Sequence, residues 1–407
     1  MEILVLNSGS SSIKFKLFNM EDEKVLANGT VDRIGINNSY LDYENIEGVD
    51  TKIKADIPDH ATGIELVRDS LLDKKIGVLD DLNEINAVGH RVVHGGEKFA
   101  DSTLITDEVI NQIEEVSELA PLHNPHNLTG IRVCEQLMPD KPQVAVFDTA
   151  FHQTMPEKAY LYALPYEYYK KHGIRRYGFH GTSHKYVANK AAKLMDKPIK
   201  KLKIITCHLG NGASVAAIKN GKSIETSMGF TPLEGLVMGT RCGDLDPAII
   251  PFLMDKENLT LAEIDDILNK KSGLLGVSGI SSDSRDVRKA AKKGNKRAQI
   301  AVDLFNYQVQ KYIGAYTTIM SGVDAIVFTA GIGEHADDIR KGILDDLEFM
   351  NIHIDDDINK KARGKEAEIT TKNSSIKVFV IPTNEELVIA RDTIRIIKRE
   401  KQVNLLT

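Results

Sequence analysis

The apolar and polar positions at the start of the chain predict two strands joined by a tight turn. Residues 3–6 are continuously apolar, as in a strand buried on both faces, and residues 13–17 alternate apolar side chains with lysines, as in a half-buried strand. Residues 7–12 between them are one Asn, one Gly and four Ser, which turn the chain and leave N–H groups and hydroxyls available. Such a turn can hold a phosphate, with Lys14 reaching the same anion; the alternative is an ordinary hairpin turn.

The same pattern returns roughly 200 residues later, which suggests a duplicated architecture with one anion-binding hairpin in each half. Residues 203–207 predict a strand, residues 208–214 a Gly/Asn/Ser turn, and residues 215–218 a second strand. Gly221-Lys222-Ser223 resembles the end of a P-loop, but Ala216 stands where that motif requires its first glycine. We therefore predict a hairpin here and exclude a Walker motif.

Strands and helices alternate through the rest of the chain, which favours an α/β fold. Helices are predicted at residues 61–72, 107–120, 298–321 and 336–350, strands at 25–31, 85–93, 144–147, 323–329 and 376–381, polar strands within 39–57, and turn-rich or Gly-rich loops at 121–127 and 330–335. A Gly-rich loop between a strand and a helix is where α/β proteins bind nucleotides. Because 407 residues exceed one ordinary core, we expect two domains, with the closing helix returning to the first.

Composition narrows the class of protein further. The chain is 42% hydrophobic and 27% charged. Its net charge of −6 argues against a nucleic-acid-binding protein, since such proteins carry an excess of basic residues. No apolar run approaches the ~20 residues that span a bilayer, and the N-terminus does not have the pattern of a signal peptide. The three cysteines show no metal-binding spacing and cannot form an even disulfide set. We expect a cytoplasmic protein with reduced thiols.

Four cationic side chains stand at predicted loops and strand ends. Arg91 follows a strand, and Arg241 lies between two glycines, where it is poorly placed for packing and well placed to bind phosphate or carboxylate. His123 lies in a proline-bounded loop and His180 in a Gly-rich stretch. Surface ion pairs and buried structural histidines are the alternatives for each residue alone. Their occurrence together favours phosphoryl transfer, which requires cationic groups around the moving phosphoryl.

Acidic residues also follow predicted strands. Asp148 ends a buried strand, as a metal ligand or base often does, and its alternative role is a turn or helix-capping residue. Glu385 also follows a strand and is a reasonable ligand for a hard cation, unless it only favours the dipole of the closing helix. Residues 281–285 offer an Asp for ribose hydroxyls and an Arg for the nucleotide.

These motifs closely resemble the acetate kinase family over essentially the whole chain. The stretches that carry the resemblance are Asn7-Ser-Gly-Ser-Ser-Ser12-Ile-Lys14-Phe, His90-Arg91-Val-Val-His94-Gly-Gly, Phe147-Asp148-Thr-Ala-Phe-His152, Tyr177-Gly-Phe179-His180-Gly-Thr-Ser-His184, Cys207-His208-Leu-Gly-Asn211-Gly and Thr329-Ala-Gly331-Ile-Gly-Glu334. The resemblance implies an α/β fold of the sugar kinase, Hsp70 and actin superfamily, with two duplicated βββαβαβα domains and the active site in the interdomain cleft. It also implies a homodimer and the reaction ATP + acetate ⇌ ADP + acetyl phosphate with Mg²⁺, Mn²⁺ being possible.

The domains expected from the resemblance are residues 1–150 plus 385–407, with the acetate, Mg²⁺ and phosphate-hairpin sites, and residues 151–384, which bind the nucleotide. By position, Asn7 and Glu385 would hold the metal. The residues that the resemblance assigns to ATP are Ser10, Ser12, Lys14, His208, Leu209, Gly210, Asn211, Gly212, Asp283, Ser284, Arg285, Gly331, Ile332, Gly333, Glu334 and His335. His335 departs from the Asn of a well-studied relative, which puts one nucleotide contact in doubt.

The resemblance also assigns the acetate-binding and catalytic residues. Arg91 would bind the substrate carboxylate, His180 and Arg241 would stabilise the transition state, and Asp148 is the family's proposed acid/base. The remaining substrate-binding positions are Val93, Leu122, His123, Phe179 and Pro232, of which all but His123 match the apolar pocket for the acetate methyl.

The chemistry disagrees with one of these roles. A carboxylic acid with a pKa near 4–5 is already ionised at pH 7, so Asp148 has no proton to remove from acetate. We expect Asp148 to position Mg²⁺, water or Arg241 during direct, in-line transfer; the alternative mechanism is a phosphorylated Asp or Glu intermediate. Propionate or butyrate kinase is the alternative activity, because a few methyl groups discriminate only ~10–200-fold. A non-catalytic ATP-binding switch on the same fold is a remote alternative, which gives Arg91, His180 and Arg241 no role.

Overall fold

A computed structural model of the chain describes residues 1–121 and 123–404. The strands are β1 (Glu2–Ser8), β2 (Ser12–Asn19), β3 (Lys24–Asp32), β4 (Tyr40–Asn45), β5 (Asp50–Lys54), β6 (Ile85–Val92), β7 (Thr103–Leu104), β8 (Gln143–Phe147), β9 (Lys203–Leu209), β10 (Ala213–Lys219), β11 (Lys222–Thr226), β12 (Ala325–Thr329), β13 (Ala367–Glu368) and β14 (Lys377–Val380). The α-helices are α1 (His60–Leu72), α2 (Asp107–Glu115), α3 (Asn124–Leu137), α4 (Glu157–Tyr160), α5 (Tyr166–His172), α6 (Gly181–Leu194), α7 (Ile249–Glu257), α8 (Leu261–Asp266), α9 (Gly273–Ser278), α10 (Ser284–Lys292), α11 (Lys296–Met320), α12 (Ala330–His335), α13 (Asp337–Leu344), α14 (Asp356–Lys361) and α15 (Glu385–Asn404).

The chain divides into two compact units, one formed by Met1–Phe151 with Asn384–Thr407 and the other by His152–Thr383. The domain boundaries expected from the sequence lie within one residue of these. The functions expected of the two domains stay predictions.

The first unit is built on an eight-stranded sheet in the order β5-β4-β3-β2-β1-β6-β8-β7. Its central strand β1 pairs antiparallel with β2 and parallel with β6. Side chains of a strand point alternately to the two faces. Leu4 and Leu6 accordingly join a core with α1 and α3, while Ile3 and Val5 join a core with α15. Both faces are covered, which explains the continuous apolar run of β1.

The second unit repeats this arrangement in a six-stranded sheet with the order β11-β10-β9-β12-β14-β13. Strands β9 and β10 form an antiparallel hairpin, and β12 lies parallel to β9, as β6 lies parallel to β1. The predicted duplication and the two-sheet α/β fold class are confirmed. Helix α6 packs on β9 and β12, and the long helix α11 packs on β9 and β10.

Two predicted loops are wrong in part. Residues 330–335, expected as an open Gly-rich loop, form the short helix α12 directly after β12. Residues 124–127 of the expected turn-rich loop form the first turn of α3, with Pro125 in that turn, where its missing N–H is not needed. Within the described residues, no helix combines the length and apolar character needed to cross a membrane.

Candidate active site

In the first unit, Arg91 and Asp148 form a forked ion pair at the ends of two neighbouring parallel strands. Nε of Arg91 donates to Oδ1 and Oδ2 of Asp148 at 3.2 and 3.1 Å, and Nη2 donates to Oδ2 at 2.5 Å. Nη1 of Arg91 donates to Oδ1 of Asn7 at 3.2 Å, which ties the end of β1 to the same guanidinium. All three residues were predicted from the sequence to be functional, but the pairing of Arg91 with Asp148 was not predicted. A carboxylate held in this way orients an arginine.

A second carboxylate lies in the electrostatic range of this pair. The pKa of Glu385 is raised to about 7, chiefly because burial disfavours the charged carboxylate. The neighbouring carboxylates of Asp148 and Glu386 also raise this pKa, while the cations Arg91 and Lys14 lower it. Burial opposes the charge of Arg91, but Asp148 and Glu385 raise its pKa above the ordinary value. Because burial is the main cause of the raised pKa, an ionised Glu385 carboxylate requires a cation close to it. A divalent cation would balance it, and amide and carboxylate oxygens such as those of Asn7 and Glu385 suit a hard cation.

Two buried asparagines on α3 hold the backbone around this site, and sequence analysis missed both. Oδ1 of Asn127 accepts the N–H of Val93 at 3.1 Å, and its Nδ2 donates to the carbonyl of Ser8 at 2.7 Å. Oδ1 of Asn124 accepts the N–H of His94 at 3.0 Å, and its Nδ2 donates to the carbonyl of the same residue at 2.9 Å. Their i, i+3 spacing on a helix start was the available signal. They fix the segments that follow β6 and β1.

The other predicted residues of this unit take varied positions. Ser10 and Lys14 are exposed at the β1–β2 turn, which closes with the N–H of Gly9 donating to the carbonyl of Ser12 at 2.8 Å. Val93 is buried, and His123 precedes the first turn of α3. Leu122 lies outside the described residues.

In the second unit, His180 and His208 stack, with ring centroids 4.2 Å apart and planes 15° from parallel. His180 precedes α6 with φ 57°, a left-handed conformation that non-glycine residues adopt at a cost, often at functional sites. The β9–β10 turn approaches closely. A Cβ added at Gly212 would lie 3.2 Å from Nε2 of His180 and 3.7 Å from Nη1 of Arg241. His180, Arg241 and this turn therefore lie together, as predicted residues of one site should.

Arg241 is a cation without a carboxylate partner within 4 Å among the described residues. Its Nη1 lies 3.5 Å from the carbonyl oxygen of Pro232 and 3.8 Å from the sulfur of Met238. Burial lowers the pKa of Arg241. A partly buried guanidinium without a counter-ion is a ready anion-binding group.

A cavity of about 360 Å³ opens beside the β9–β10 turn. It is lined by Gly210, Asn211, Gly239, Leu274, Ser282, Asp283, Ser284, Arg285, Arg288, Gly331 and Ile332. A Cβ added at Gly239 would lie 2.0 Å from Oδ1 of Asn211 and 3.0 Å from the carbonyl oxygen of Ser282, so this glycine leaves room for the Asn211 side chain. Seven of these residues were predicted to bind ATP, while Leu274 and Arg288 carried no motif that could have identified them.

Several predicted nucleotide ligands have structural partners of their own. The Asp283 carboxylate accepts the N–H of Arg285 at the start of α10 and pairs with the Arg285 guanidinium at 2.5 Å. Leu209 is fully buried in β9, so only its backbone is available to a ligand. Oε1 of Glu334 accepts the N–H groups of Ala330 and Thr383, at 2.8 and 3.1 Å, and thus holds the α12 turn closed.

Arg340 completes the support of α12. Its fully buried guanidinium donates to the carbonyls of Gly333 and Glu334 at 2.8 and 3.0 Å and to Asn359. Burial lowers the pKa of Arg340 to about 10, so the group stays charged at neutral pH. His335, the departure from the family pattern, is exposed and packs against Gly364.

Buried neutral histidines lie behind these sites. Nε2 of His152 donates to the carbonyl of Phe179 at 3.0 Å, just before His180, and its Nδ1 contacts the hydroxyl of Ser223. Both ring nitrogens of His184 contact hydroxyls, of Thr206 and Ser214. Burial lowers the pKa of His152 to about 4 and that of His184 well below the ordinary value. In the first unit, burial lowers the pKa of His90 to about 4.

These histidines should make the protein sensitive to acid. A folded-state pKa of about 4 lies below the unfolded value of 6.5, so each stabilising contribution is present above pH 6.5 and is lost as the pH falls toward 4. We expect the free energy of unfolding in urea to fall between pH 7 and pH 5 by about 2 kcal/mol for each of His90 and His152. His90→Gln should reduce the slope of the free energy of unfolding against pH by the amount that corresponds to about one bound proton. A free energy of unfolding that is constant over this range contradicts the prediction.

The model of the acetokinase family matches residues 2–391. The chain belongs to the acetokinase family. The acetate kinase of Halothermothrix orenii is 72% identical over 98% of this chain and 100% of its own length. The crystal structure of Porphyromonas gingivalis acetate kinase has a TM-score of 0.94 at 50% identity, covering 97% of this chain and 99% of that one. A propionate kinase from Francisella tularensis has a TM-score of 0.90 at 45% identity, covering 96% and 98%.

Membership of the acetokinase family implies ATP as a substrate and a divalent metal. The burial of the Glu385 carboxylate gives an electrostatic reason for the metal, because an adjacent cation stabilises a buried carboxylate in its charged form. Full-length relatives named acetate kinase support ATP-dependent phosphorylation of acetate, and a solved relative named propionate kinase gives the alternative.

Proposed function

We propose that this protein is a kinase that phosphorylates acetate with ATP, giving acetyl phosphate and ADP reversibly. The observation that carries the proposal is the family match over residues 2–391, joined by full-length relatives named acetate kinase. The geometry agrees with it, since Arg91 is an oriented arginine suited to a carboxylate and Arg241 is an uncompensated cation suited to a phosphoryl group.

The residues have distinct tasks in this reaction. Arg91, oriented by Asp148, binds the carboxylate of acetate, which is already ionised and attacks phosphorus directly. Asp148 positions Arg91 and removes no proton, because its oxygens are occupied by the guanidinium and acetate has none to give. Arg241 and His180 stabilise the charge that spreads over the equatorial oxygens in a metaphosphate-like transition state.

The divalent metal is proposed to be Mg²⁺, with Mn²⁺ as a substitute, held by Asn7 and Glu385. Bound there, it would neutralise phosphate charge. Ser10, Ser12 and Lys14 are proposed to contact phosphates through the exposed β1–β2 turn. The nucleoside is proposed to occupy the 360 Å³ cavity, whose Asp283 and Ser284 face it at the start of α10.

Assembly and location are proposed as well. We infer a homodimer from the family resemblance. We infer a cytoplasmic location, supported by cysteines that form no disulfide.

The first experiment should identify which carboxylic acid is the preferred substrate. The propionate kinase structure favours propionate as the second candidate. We expect ATP-dependent acyl phosphate, trapped with hydroxylamine, to form fastest with acetate, more slowly with propionate and slowest with butyrate at equal concentrations. Val93→Ala, which removes two methyl groups from the predicted pocket, should shift the propionate-to-acetate ratio of kcat/KM upward about tenfold.

Val133→Ala is the matched control, because it makes the same change in the core between α1 and α3 and should leave that ratio unchanged. Propionate leading in the unaltered protein would keep the mechanism and replace the substrate. Nucleotide binding without product from any acid would favour the non-catalytic ATP switch.

A further inference from the structure

Two hydroxyl groups link the end of β14 to His208 through the interior of the second unit. Oγ1 of Thr383 donates to Oγ of Ser183 at 2.9 Å, and Oγ of Ser183 lies 2.8 Å from Nδ1 of His208. Ser183 is fully buried on the first turn of α6, and among the described residues its hydroxyl contacts only these two groups. We call Thr383, Ser183 and His208 the hydroxyl relay.

The direction of the first bond determines the second. A hydroxyl has one proton and can accept through its lone pairs. Ser183 accepts the proton of Thr383, and among the described residues Nδ1 of His208 is the one acceptor within reach of its own proton. A buried hydroxyl proton is satisfied here when it points at Nδ1 of His208, which is then an acceptor. A neutral imidazole with an acceptor at Nδ1 carries its proton on Nε2.

We propose that Ser183 and Thr383 are positioning residues that fix His208 as the Nε2–H tautomer, so that it donates a hydrogen bond to a phosphate of ATP. This inference rests on the proposed function, since it assumes that His208 faces a nucleotide. Phosphate oxygens are acceptors, so the Nε2–H tautomer attracts them and the Nδ1–H tautomer presents a repelling lone pair.

The surroundings keep the relay in place. The backbone N–H of Thr383 donates to Oε1 of Glu334, the carboxylate that also closes the α12 turn. His208 stacks on His180, so its ring cannot rotate without disturbing a second predicted catalytic group. The relay therefore joins the nucleotide-side turn of α12 to the stacked histidines.

The test reads the tautomer directly. In protein labelled with ¹³C and ¹⁵N histidine, the His208 signal is assigned by its loss in His208→Gln. We expect the Nε2–H tautomer in the unaltered enzyme and a mixture or the Nδ1–H form in Ser183→Ala. Ser183→Ala should also lower kcat/KM for ATP about tenfold while the KM for acetate stays within twofold. Thr383→Val, which keeps the shape and removes only the donor, should give an intermediate result.

Ser214→Ala is the matched control, because it removes a buried hydroxyl from His184 instead. Ser214 is the neighbour of His208 across β9 and β10, so the His208 signal can shift slightly, but its tautomer should stay unchanged. An Nδ1–H tautomer in the unaltered enzyme, or an unchanged His208 signal in Ser183→Ala, overturns the proposal. If Ser183→Ala does not fold, as judged by circular dichroism, Thr383→Val decides in the same way. A protein that phosphorylates no acid, but whose His208 signal responds to Ser183→Ala, would overturn the proposed function and support the relay.

Discussion

Arg241→Ala should lower kcat by roughly 10²–10⁴-fold, the range expected when a phosphoryl-transfer site loses one cationic clamp. Arg241 has no carboxylate within 4 Å among the described residues, so the substitution breaks no ion pair and the fold should survive. Its charge is available for the transition state and adds little to binding of the ground state. The KM for acetate should therefore change less than threefold while kcat falls, as measured by steady-state kinetics.

Arg132→Ala is the control for this experiment, since Arg132 is a surface arginine on α3 that pairs with Glu114. Its activity should stay within twofold of the unaltered enzyme. Arg241→Lys should recover only part of the loss, because an ammonium keeps the charge without the planar fork. A decrease below tenfold in Arg241→Ala, with an unchanged melting temperature, would remove Arg241 from the active site.

Asp148→Ala should lower kcat/KM for acetate by roughly 10²–10³-fold. A misplacement of about 1 Å in a group that positions the substrate can cost roughly 10²-fold in rate, and Arg91 would in addition be left without its buried partner. The lost partner is the carboxylate that orients the Arg91 guanidinium through three hydrogen bonds. Freed of Asp148, Arg91 would pair with the nearby charge of Glu385, which it already influences, and present a different face to acetate.

Asp148→Asn separates positioning from base catalysis. The amide keeps one acceptor oxygen for Arg91, so a positioning role predicts an activity well above that of Asp148→Ala. A general base cannot be replaced by an amide, so a base role predicts that both variants lose activity equally. Equal losses, measured as kcat/KM for acetate at pH 7, would therefore contradict the role proposed for Asp148.

The sequence predicted the structure correctly where interactions between residues close along the chain determine it. The apolar run of β1 and the Ser/Gly turn after it specified a hairpin without long-range contacts, and the repeated pattern at β9 and β10 revealed the duplication. The helical structure of α12 was not predicted from the sequence. Its glycines favour a loop by propensity, but Glu334 closes the turn and Arg340 holds its carbonyls, and neither contact follows from spacing along the chain.

Individual site residues could be predicted from the sequence, but which of them contact one another in the fold could not. Arg91 and Asp148 end neighbouring parallel strands, so a correct strand order would have brought them together. The sequence alone did not give that order. Ser183 and Thr383 are 200 positions apart and belong to common, motif-free residue types. Only the three-dimensional structure shows that their hydroxyl groups are hydrogen-bonded to each other.

Helix α15 has a consequence for how the chain is made. It supplies Leu387, Ile389 and Ala390 to the core that buries Ile3 and Val5, so one face of the first strand stays uncovered until the last helix exists. The second unit, His152–Thr383, is inserted between them. At roughly 5–20 residues per second, a ribosome needs on the order of ten seconds or more to translate that insertion. During this interval the nascent N-terminal sheet exposes an apolar face, to which chaperones can bind until α15 has been made and covers it.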